Sequence, residues 1–496
     1  MKRTLFALSA VAINGAAAFW RMPCRGRLGL ARMDPLVSPG EVAQHVHHIH
    51  GSSGFSETAG YEDLVNAECT SCAVTQDKSV YWAPALYFRH TDGTYELVEQ
   101  DGGMLNYYFL FQDDNNPDAG IKAFPKGFRM IAGDSLRRNY SVAGLSAKDK
   151  EPEKSLWAML GQTTQVDLAQ RAVGFNCLDY DKPAEGTLYR HYMPEKDYLD
   201  ANCGDGLRIE LMFPSCWNGK DLDSPNHRDH VAYPDLVMTG GCPSGFDVKL
   251  PGLLYETIWK TNKFAGVPGE FFLANGDSQG FGYHADFMMG WEPEFLQQAV
   301  NQCTSRSGKI EDCSIFDIQS DDKAHQCKMN VPSALANEKV EGRVGMALPG
   351  DVPIQYGPEP ATNPSPGPQT TTVAVPSVGY SEGAKPTGSV YLPGQIFKET
   401  SISTEAPSST QEIAALAQPP VTPAPEPPVE PVDDGYEVVR TEYITAGNLV
   451  SMIIVKEKVE YVTVTTTTYT STMTVGALKA RYTPHMHRHQ RRHGRR

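Results

Sequence analysis

Residues 80–88 read Val-Tyr-Trp-Ala-Pro-Ala-Leu-Tyr-Phe, a β-prone run followed closely by the turn signal Asp92-Gly93. Aromatic and β-branched residues favour pleated strands, and an Asp-Gly pair favours a tight turn. Comparable short runs, punctuated by Gly, Pro or Asp-Gly, recur at residues 95–99, 105–111, 129–131, 206–213 and 248–250. This spacing is typical of an all-β sandwich or barrel rather than of alternating βαβ units. We therefore expect a mainly β fold, a single jelly-roll-like β-sandwich with a few helices.

The cysteines predict that this domain is cross-linked. All ten precede residue 328, at positions 24, 69, 72, 177, 203, 216, 242, 303, 313 and 327. An even number in an exported chain predicts up to five disulfides, whose pairing the sequence does not give. Cys69 and Cys72 have the spacing of half a zinc knuckle, but no second closely spaced pair follows them. Disulfide bonding is therefore the favoured interpretation of this pair.

Residues 1–18 have the pattern of a secretory signal peptide. Two positive residues precede an apolar run at residues 5–13, and three alanines follow at residues 16–18. This order favours export over a buried N-terminal helix, and the run is too short to span a bilayer. Asn139-Tyr140-Ser141 is an acceptor for N-glycosylation, which fits a secreted chain. We expect an extracellular or cell-wall-associated protein with no transmembrane segment.

Composition divides the rest of the chain into four parts. Residues 19–330 have globular composition, and residues 331–435 form a Pro/Ser/Thr-rich linker that we expect to be disordered, because it has too little apolar surface to bury. Residues 436–475 are rich in Thr and Val and β-prone. Composition favours a Thr-rich stalk there over a short hairpin or a self-associating segment.

Residues 476–496 are a basic tail that contains His485, His487, His489 and His493. A solvated tail is the favoured interpretation, although such a segment can also hold acidic polysaccharide or bind divalent metals weakly. The net charge of the whole chain is −15, which argues against nucleic acid as a general partner.

Residues 44–51 contain four histidines in six positions, His45, His47, His48 and His50. Side chains alternate between the two faces of a strand, so a strand here places His45 and His47 on one face and His48 and His50 on the other. Two imidazoles at positions i and i+2 of a strand can bind one metal ion.

The segment His284-Ala285-Asp286 repeats this geometry with one imidazole and one carboxylate. Together with His45 and His47 it predicts a three-His, one-carboxylate site suited to zinc, copper or manganese. Two other interpretations stay open. These four residues could act as catalytic general acid and base, as in lyases and some hydrolases, or the histidines could be hydrogen-bonded core residues.

Aromatic residues beside polar ones suggest a sugar-binding surface. Tyr81 and Trp82 lie in the segment 77–84, and Trp217 lies in the segment 213–220, both with Asp, Asn or Lys nearby. Aromatic rings can stack on pyranose rings while polar neighbours bind the hydroxyl groups. We add His230 as a fourth candidate for substrate binding. The alternative is that Trp82 and Trp217 pack in the core.

Several sequence blocks resemble a known family. They are residues 19–24 and 34–35, 45–51, 69–72, 77–82, 128–134, 213–220, 230–234 and 275–291. Together they resemble the fungal family called domain of unknown function 1996, over roughly residues 24–305. The resemblance implies a secreted fungal protein, as family members are, and some members also carry a module associated with cell-wall glucan, which this chain does not obviously contain. It implies no reaction and transfers no catalytic role, although the blocks include His45, His47, His230, His284 and Asp286.

Two functions from different classes follow as expectations. The first is a secreted fungal cell-wall or extracellular protein with a polysaccharide-related binding or structural role. The second is an extracellular carbohydrate-active hydrolase or lyase, metal-assisted through the His/Asp cluster.

Overall fold

The structure is a computed structural model that describes residues 18–362, 437–446 and 449–457. Residues 1–17 of the predicted signal peptide, most of the predicted linker and the basic tail lie outside the described residues. The chain divides into two compact units, residues 1–378 and 379–496, which are described separately below.

The described part of the first unit contains seventeen strands and five α-helices, together with four short 3₁₀ helices. The strands are β1 (Phe19–Cys24), β2 (Gly29–Ala31), β3 (His47–Gly51), β4 (Val80–Pro84), β5 (Leu86–His90), β6 (Tyr95–Leu97), β7 (Gln100–Phe109), β8 (Arg129–Gly133), β9 (Val173–Leu178), β10 (Gly206–Met212), β11 (Cys216–Trp217), β12 (Val231–Ala232), β13 (Val248–Lys249), β14 (Gly252–Trp259), β15 (Gly269–Leu273), β16 (His284–Met288) and β17 (Arg343–Gly345). The α-helices are α1 (Tyr61–Val65), α2 (Gln165–Arg171), α3 (Lys196–Asn202), α4 (Pro293–Gln302) and α5 (Asp321–Gln326).

Two five-stranded antiparallel sheets form the body of this unit. Sheet A has the strand order β1-β7-β14-β10-β9, and sheet B has the order β2-β3-β4-β16-β8. The two sheets face each other. The ring of Tyr81 on β4 packs edge-on against Tyr255 on β14, with their centroids 5.5 Å apart, and the Tyr255 hydroxyl donates to the backbone oxygen of Asp286 on β16. The mainly β prediction is therefore confirmed.

A buried hydrogen-bond network crosses the space between the two sheets. The Tyr81 hydroxyl donates to the carboxylate of Asp77 and lies 2.6 Å from the hydroxyl of Tyr108 on β7. The indole of Trp291 donates to the same Tyr108 oxygen. All four side chains are fully buried or nearly so. Because a buried polar group is costly without a partner, this network helps to fix the position of one sheet over the other.

The outer face of sheet B is also covered. Ile49, Trp82 and Met288 point away from sheet A and pack in a second hydrophobic cluster with residues from the loops that follow β2 and β3, among them Met33 and Phe55. The central strands of sheet B are therefore buried on both faces. This second layer encloses the candidate site described below.

Five disulfides pair all ten cysteines, as the even count predicted. The pairs are Cys24–Cys72, Cys69–Cys327, Cys177–Cys203, Cys216–Cys242 and Cys303–Cys313. Cys69 and Cys72 belong to different disulfides, so neither is available to bind zinc. The Cys69–Cys327 bond joins residues 258 positions apart and holds the end of the domain against its first third.

The ordered unit extends past residue 330, where composition placed the start of a disordered linker. Strand β17 pairs with β6, and the Tyr87 hydroxyl donates to the backbone oxygen of Val340. Near the end of the described part, the backbone N–H of Ala361 donates to the oxygen of Leu136. These backbone partners explain why a Pro-rich segment is fixed here despite its composition.

In the second unit, the described residues form two strands, β18 (Glu437–Ala446) and β19 (Leu449–Glu457), which pair antiparallel. The first half of the Thr/Val-rich segment therefore forms the hairpin that composition disfavoured, and residues 458–475 lie outside the described part. Among the described residues, no helix has the length and apolar character that crossing a membrane requires.

The Asp77 carboxyl should make stability depend on pH. Burial raises its pKa from 3.8 to about 6 despite the hydrogen bonds from Tyr81 and Ser79. A carboxyl group with a raised pKa in the folded state binds its proton more tightly when folded, so its contribution to stability is present at low pH and is lost as pH rises through about 6.

We expect the Asp77 contribution to the free energy of unfolding to fall by about 1 kcal/mol between pH 5 and pH 8. Denaturant unfolding of Asp77→Asn at both values should lack this component relative to the parent chain. The exposed Asp247→Asn serves as the control. An unchanged pH dependence in Asp77→Asn would contradict the assignment.

Candidate metal centre

The three histidines of the candidate centre are brought together by the register of sheet B. Strand β4 lies between β3 and β16, with His47 opposite Pro84 and Asp286 opposite Trp82. Extending this antiparallel pairing by two residues places His284 opposite Pro84 as well. Side chains in one row across neighbouring strands share a face, and the compact proline ring between the two histidines leaves room for them to approach each other.

His45 joins this pair from the chain just before β3. Its Nε2 atom lies 3.0 Å from Nε2 of His284, and its ring centroid lies 4.4 Å from that of His47. One ring nitrogen from each of the three histidines lies within 4.8 Å of the others. His47 and His284 are buried, whereas His45 is partly exposed. The convergence predicted for these three residues is therefore present.

Backbone carbonyl groups orient two of the three imidazoles. Nδ1 of His47 lies 3.2 Å from the oxygen of Met33, and Nδ1 of His284 lies 2.9 Å from the oxygen of Gly282. Since a carbonyl oxygen only accepts, each Nδ1 carries the proton and each Nε2 is unprotonated, with Nε2 of His284 facing Nε2 of His45. Nε2 of His47 is buried without a hydrogen-bond partner among the described residues. Metal-binding histidines in proteins are commonly anchored in this way.

The pKa values of the three histidines are lowered, so that all three imidazoles are neutral. Desolvation, and then the neighbouring imidazoles His47 and His284, lower the pKa of His45 well below 6.5. Desolvation also lowers the pKa of His47 well below this value and that of His284 to about 4. The neutral imidazole is the form that binds metal ions. The centre therefore has three nitrogen donors ready at neutral pH.

Asp286 belongs to a different group from the one predicted. Its ligand atoms cluster with His47 and with Asp34, not with His45 and His284. Both carboxylate oxygens of Asp286 are buried without a partner among the described residues. The predicted four-residue site is therefore two three-residue groups that share His47.

Asp34 is a site residue that sequence reasoning missed. Its Oδ1 atom accepts hydrogen bonds from the backbone N–H groups of Leu36 and Val37. Burial raises the pKa of Asp34 to about 6, and burial together with the Asp34 charge raises the pKa of Asp286 well above 3.8. Asp34 precedes a proline in a loop, and no spacing pattern in the sequence connects it with Asp286.

A small pocket adjoins the candidate centre on the His45 side. His45, Arg138, Asn275 and Gln355 are among the residues that line a pocket of about 30 Å³. This space holds one or two water molecules and excludes a sugar ring. A metal ion at the three nitrogens would have room for a bound water beside it.

The other two histidines of the motif lie on the opposite face of β3, as the alternation predicted. Nδ1 of His48 lies 3.2 Å from Nε2 of His50, and Nδ1 of His50 donates to the backbone oxygen of Gly26. The ring of His48 packs against Trp259. These two residues face sheet A and form a separate buried pair.

The residues predicted to bind sugar do not form one surface. Tyr81 and Trp82 are fully buried, and Trp82 packs against Phe55, so neither ring offers a face on which a sugar could stack. His230 is also buried, with its Nε2 donating to the oxygen of Arg129. Trp217 alone of the four is partly exposed.

The candidate glycosylation site, Asn139, lies in a loop and is partly exposed. It follows Arg138, whose guanidinium group donates to the backbone oxygens of Asn275 and Gln355. Its modification stays a prediction.

Comparison with known proteins gives one finding. A family model described as "Domain of unknown function (DUF1996)" matches residues 34–291. This span includes Asp34, the three histidines of the centre and Asp286. No curated protein and no solved structure matches the chain.

Gly133 on β8 should be essential to the geometry of the centre. It lies opposite His284, has φ of +76°, and a Cβ atom there would come within 2.3 Å of the backbone oxygen of Tyr283 and 2.7 Å of Cα of His284. Gly144 has nearly the same φ of +74° but no atom within 4 Å of such a Cβ.

We expect Gly144→Ala to lower the free energy of unfolding by about 1 kcal/mol, the cost of positive φ alone, and Gly133→Ala to cost at least about 2 kcal/mol more. Thermal or denaturant unfolding of both variants measures the difference. Equal losses would show that the contact with His284 is not tight.

Proposed function

The chain belongs to the DUF1996 family, whose description assigns no reaction, and we propose from its own residues that it is an extracellular metal-binding protein with a polysaccharide-related role. The observation that carries the proposal is the convergence of three imidazoles, two of them held by backbone carbonyl groups, on one point. A structural role alone would not need a buried Nε2 atom on His47 that has no hydrogen-bond partner among the described residues.

The donor set favours some metals over others. The three histidines supply nitrogen, while the carboxylates of Asp34 and Asp286 form the separate group that includes His47. Nitrogen-only sets suit zinc and copper, whereas manganese prefers oxygen. We therefore propose zinc or copper at the three nitrogens. Three protein ligands leave a fourth position for water, as in catalytic zinc sites, whereas structural sites have four protein ligands.

An extracellular location is supported by the cross-links. Five disulfides in one domain are typical of an oxidising compartment. The signal-peptide pattern and the resemblance to secreted fungal proteins extend the proposal to a fungal cell wall or its surroundings. The polysaccharide-related role has two forms, a binding or structural protein and a metal-assisted carbohydrate-active enzyme. The free fourth position favours the second form.

Metal analysis tests the centre directly. The full chain, with His485, His487, His489 and His493 replaced by alanine to remove the tail as a competing site, should bind about one zinc or copper ion per chain. In this background we expect His47→Ala to weaken metal binding at least about 100-fold, because it removes a donor. Isothermal titration and elemental analysis give the affinity and the stoichiometry.

The exposed His325→Ala is the matched control and should leave metal binding unchanged. Equal metal content in His47→Ala and His325→Ala would place any bound metal outside this centre.

A second experiment separates the enzyme from the binding or structural protein. The metal-loaded chain is incubated with polysaccharides, and new reducing ends are measured. Product formation that is lost in His47→Ala supports the enzyme, and metal binding without product supports the binding or structural protein.

A further inference from the structure

We infer that an aromatic-lined cleft next to the metal centre binds a chain of neutral polysaccharide. The cleft lies between the segments 192–196, 278–281 and 270–271, with Tyr356 at one edge. The inference rests on the polysaccharide-related role proposed above and gives that role a location. The cavity has a volume of about 350 Å³, within the range of about 300–1,000 Å³ that small-molecule sites occupy.

Four aromatic residues line this cleft, and all except the buried Phe271 have an accessible ring. Tyr192 and Phe281 are partly exposed, and Tyr356 is 56% exposed. These rings differ from Tyr81 and Trp82 in having accessible faces. An aromatic face with polar groups around it is the surface on which the apolar side of a pyranose ring packs.

Polar groups surround the rings, and Glu270 among them is held in position by two partners. An oxygen of Glu270 is held by the guanidinium group of Arg89 at 2.9 Å and accepts a hydrogen bond from the hydroxyl of Tyr356. At the rim, Lys148 pairs with Glu195. Side chains that are already oriented lose less entropy when they bind hydroxyl groups.

The charges in the cleft balance. The lining contains two lysines, Lys148 and Lys196, and two glutamates, Glu195 and Glu270. A site for an acidic polysaccharide would need an excess of positive charge. The balance therefore favours a neutral polysaccharide.

The wall formed by residues 275–282 is rigid. The buried carboxylate of Asp277 accepts hydrogen bonds from the backbone N–H groups of Gln279 and Gly282, and the backbone N–H of Met193 donates to the oxygen of Gln279. Gly280 allows this close approach, since a Cβ atom there would lie 2.4 Å from the ring of Phe175. The cleft is therefore preformed.

The same loop connects the cleft with the metal centre. Phe281 lines the cleft, and the next residue, Gly282, accepts the hydrogen bond that orients His284. The segment that follows β17 makes a second connection. Gln355 lines the pocket of His45, and Tyr356 lines the cleft. On both segments, a residue that lines the cleft is adjacent in sequence to a residue of the candidate metal centre. A polysaccharide in the cleft would therefore lie close to that centre.

Affinity electrophoresis of the full chain tests the inference. The gels contain a soluble neutral β-glucan, mannan or xylan, or an acidic polyuronate, and the buffer contains a metal chelator. We expect retardation by at least one neutral polysaccharide, weakened about threefold or more by Tyr356→Ala and by Tyr192→Ala. Tyr180→Ala, which removes a ring that is 73% exposed outside the cleft, is the matched control and should behave as the parent chain.

Tyr356→Phe separates ring stacking from the hydrogen bond to Glu270 and should retain most of the affinity. If Tyr192→Ala fails to fold, Tyr356→Ala decides alone, because its side chain is largely exposed. If the parent chain binds and both alanine variants keep that affinity, the cleft is not the binding site. The same conclusion follows if only the polyuronate retards the chain. Neither result bears on the metal centre. No retardation by any polysaccharide would overturn both the cleft and the polysaccharide-related role. Retardation without metal binding would overturn the metal centre alone.

Discussion

The register of three neighbouring antiparallel strands is the constraint on which the rest of this structure depends. Strand β4 separates β3 from β16, so His47 and His284 meet only if both strands are aligned on it to the residue. A shift of either strand by one position would turn its imidazole to the opposite face of the sheet. The buried tyrosine network between the sheets and the covered outer face make such a shift costly, because every residue of the three strands is buried.

Burial on both faces also determines the chemistry of the centre. An imidazole in water is already neutral for most of the time at pH 7, but His47 and His284 are, in addition, held in one orientation by backbone oxygens. The orienting carbonyl of Gly282 belongs to the rigid loop that also forms a wall of the cleft. The candidate metal centre and the cleft therefore share one structural support.

Much of this could be predicted from local pattern, and the rest depends on distant contacts. The β-prone run at residues 80–88 forms β4 and β5, and the two-residue period of the histidine motif placed His45 and His47 correctly. The period does not tell whether a strand face meets solvent or a second layer, so the sequence also favours a sugar surface for Tyr81 and Trp82, which are both buried. Composition alone places a boundary at residue 330, whereas long-range backbone hydrogen bonds connect later residues with the rest of the unit.

Anomalous diffraction from crystals of the zinc-loaded protein locates the metal without any assumption about function. We expect one strong peak equidistant from the Nε2 atoms of His45, His47 and His284, about 2.0–2.1 Å from each. A fully occupied peak between Asp34 and Asp286, with the three imidazoles free of metal, would contradict this expectation.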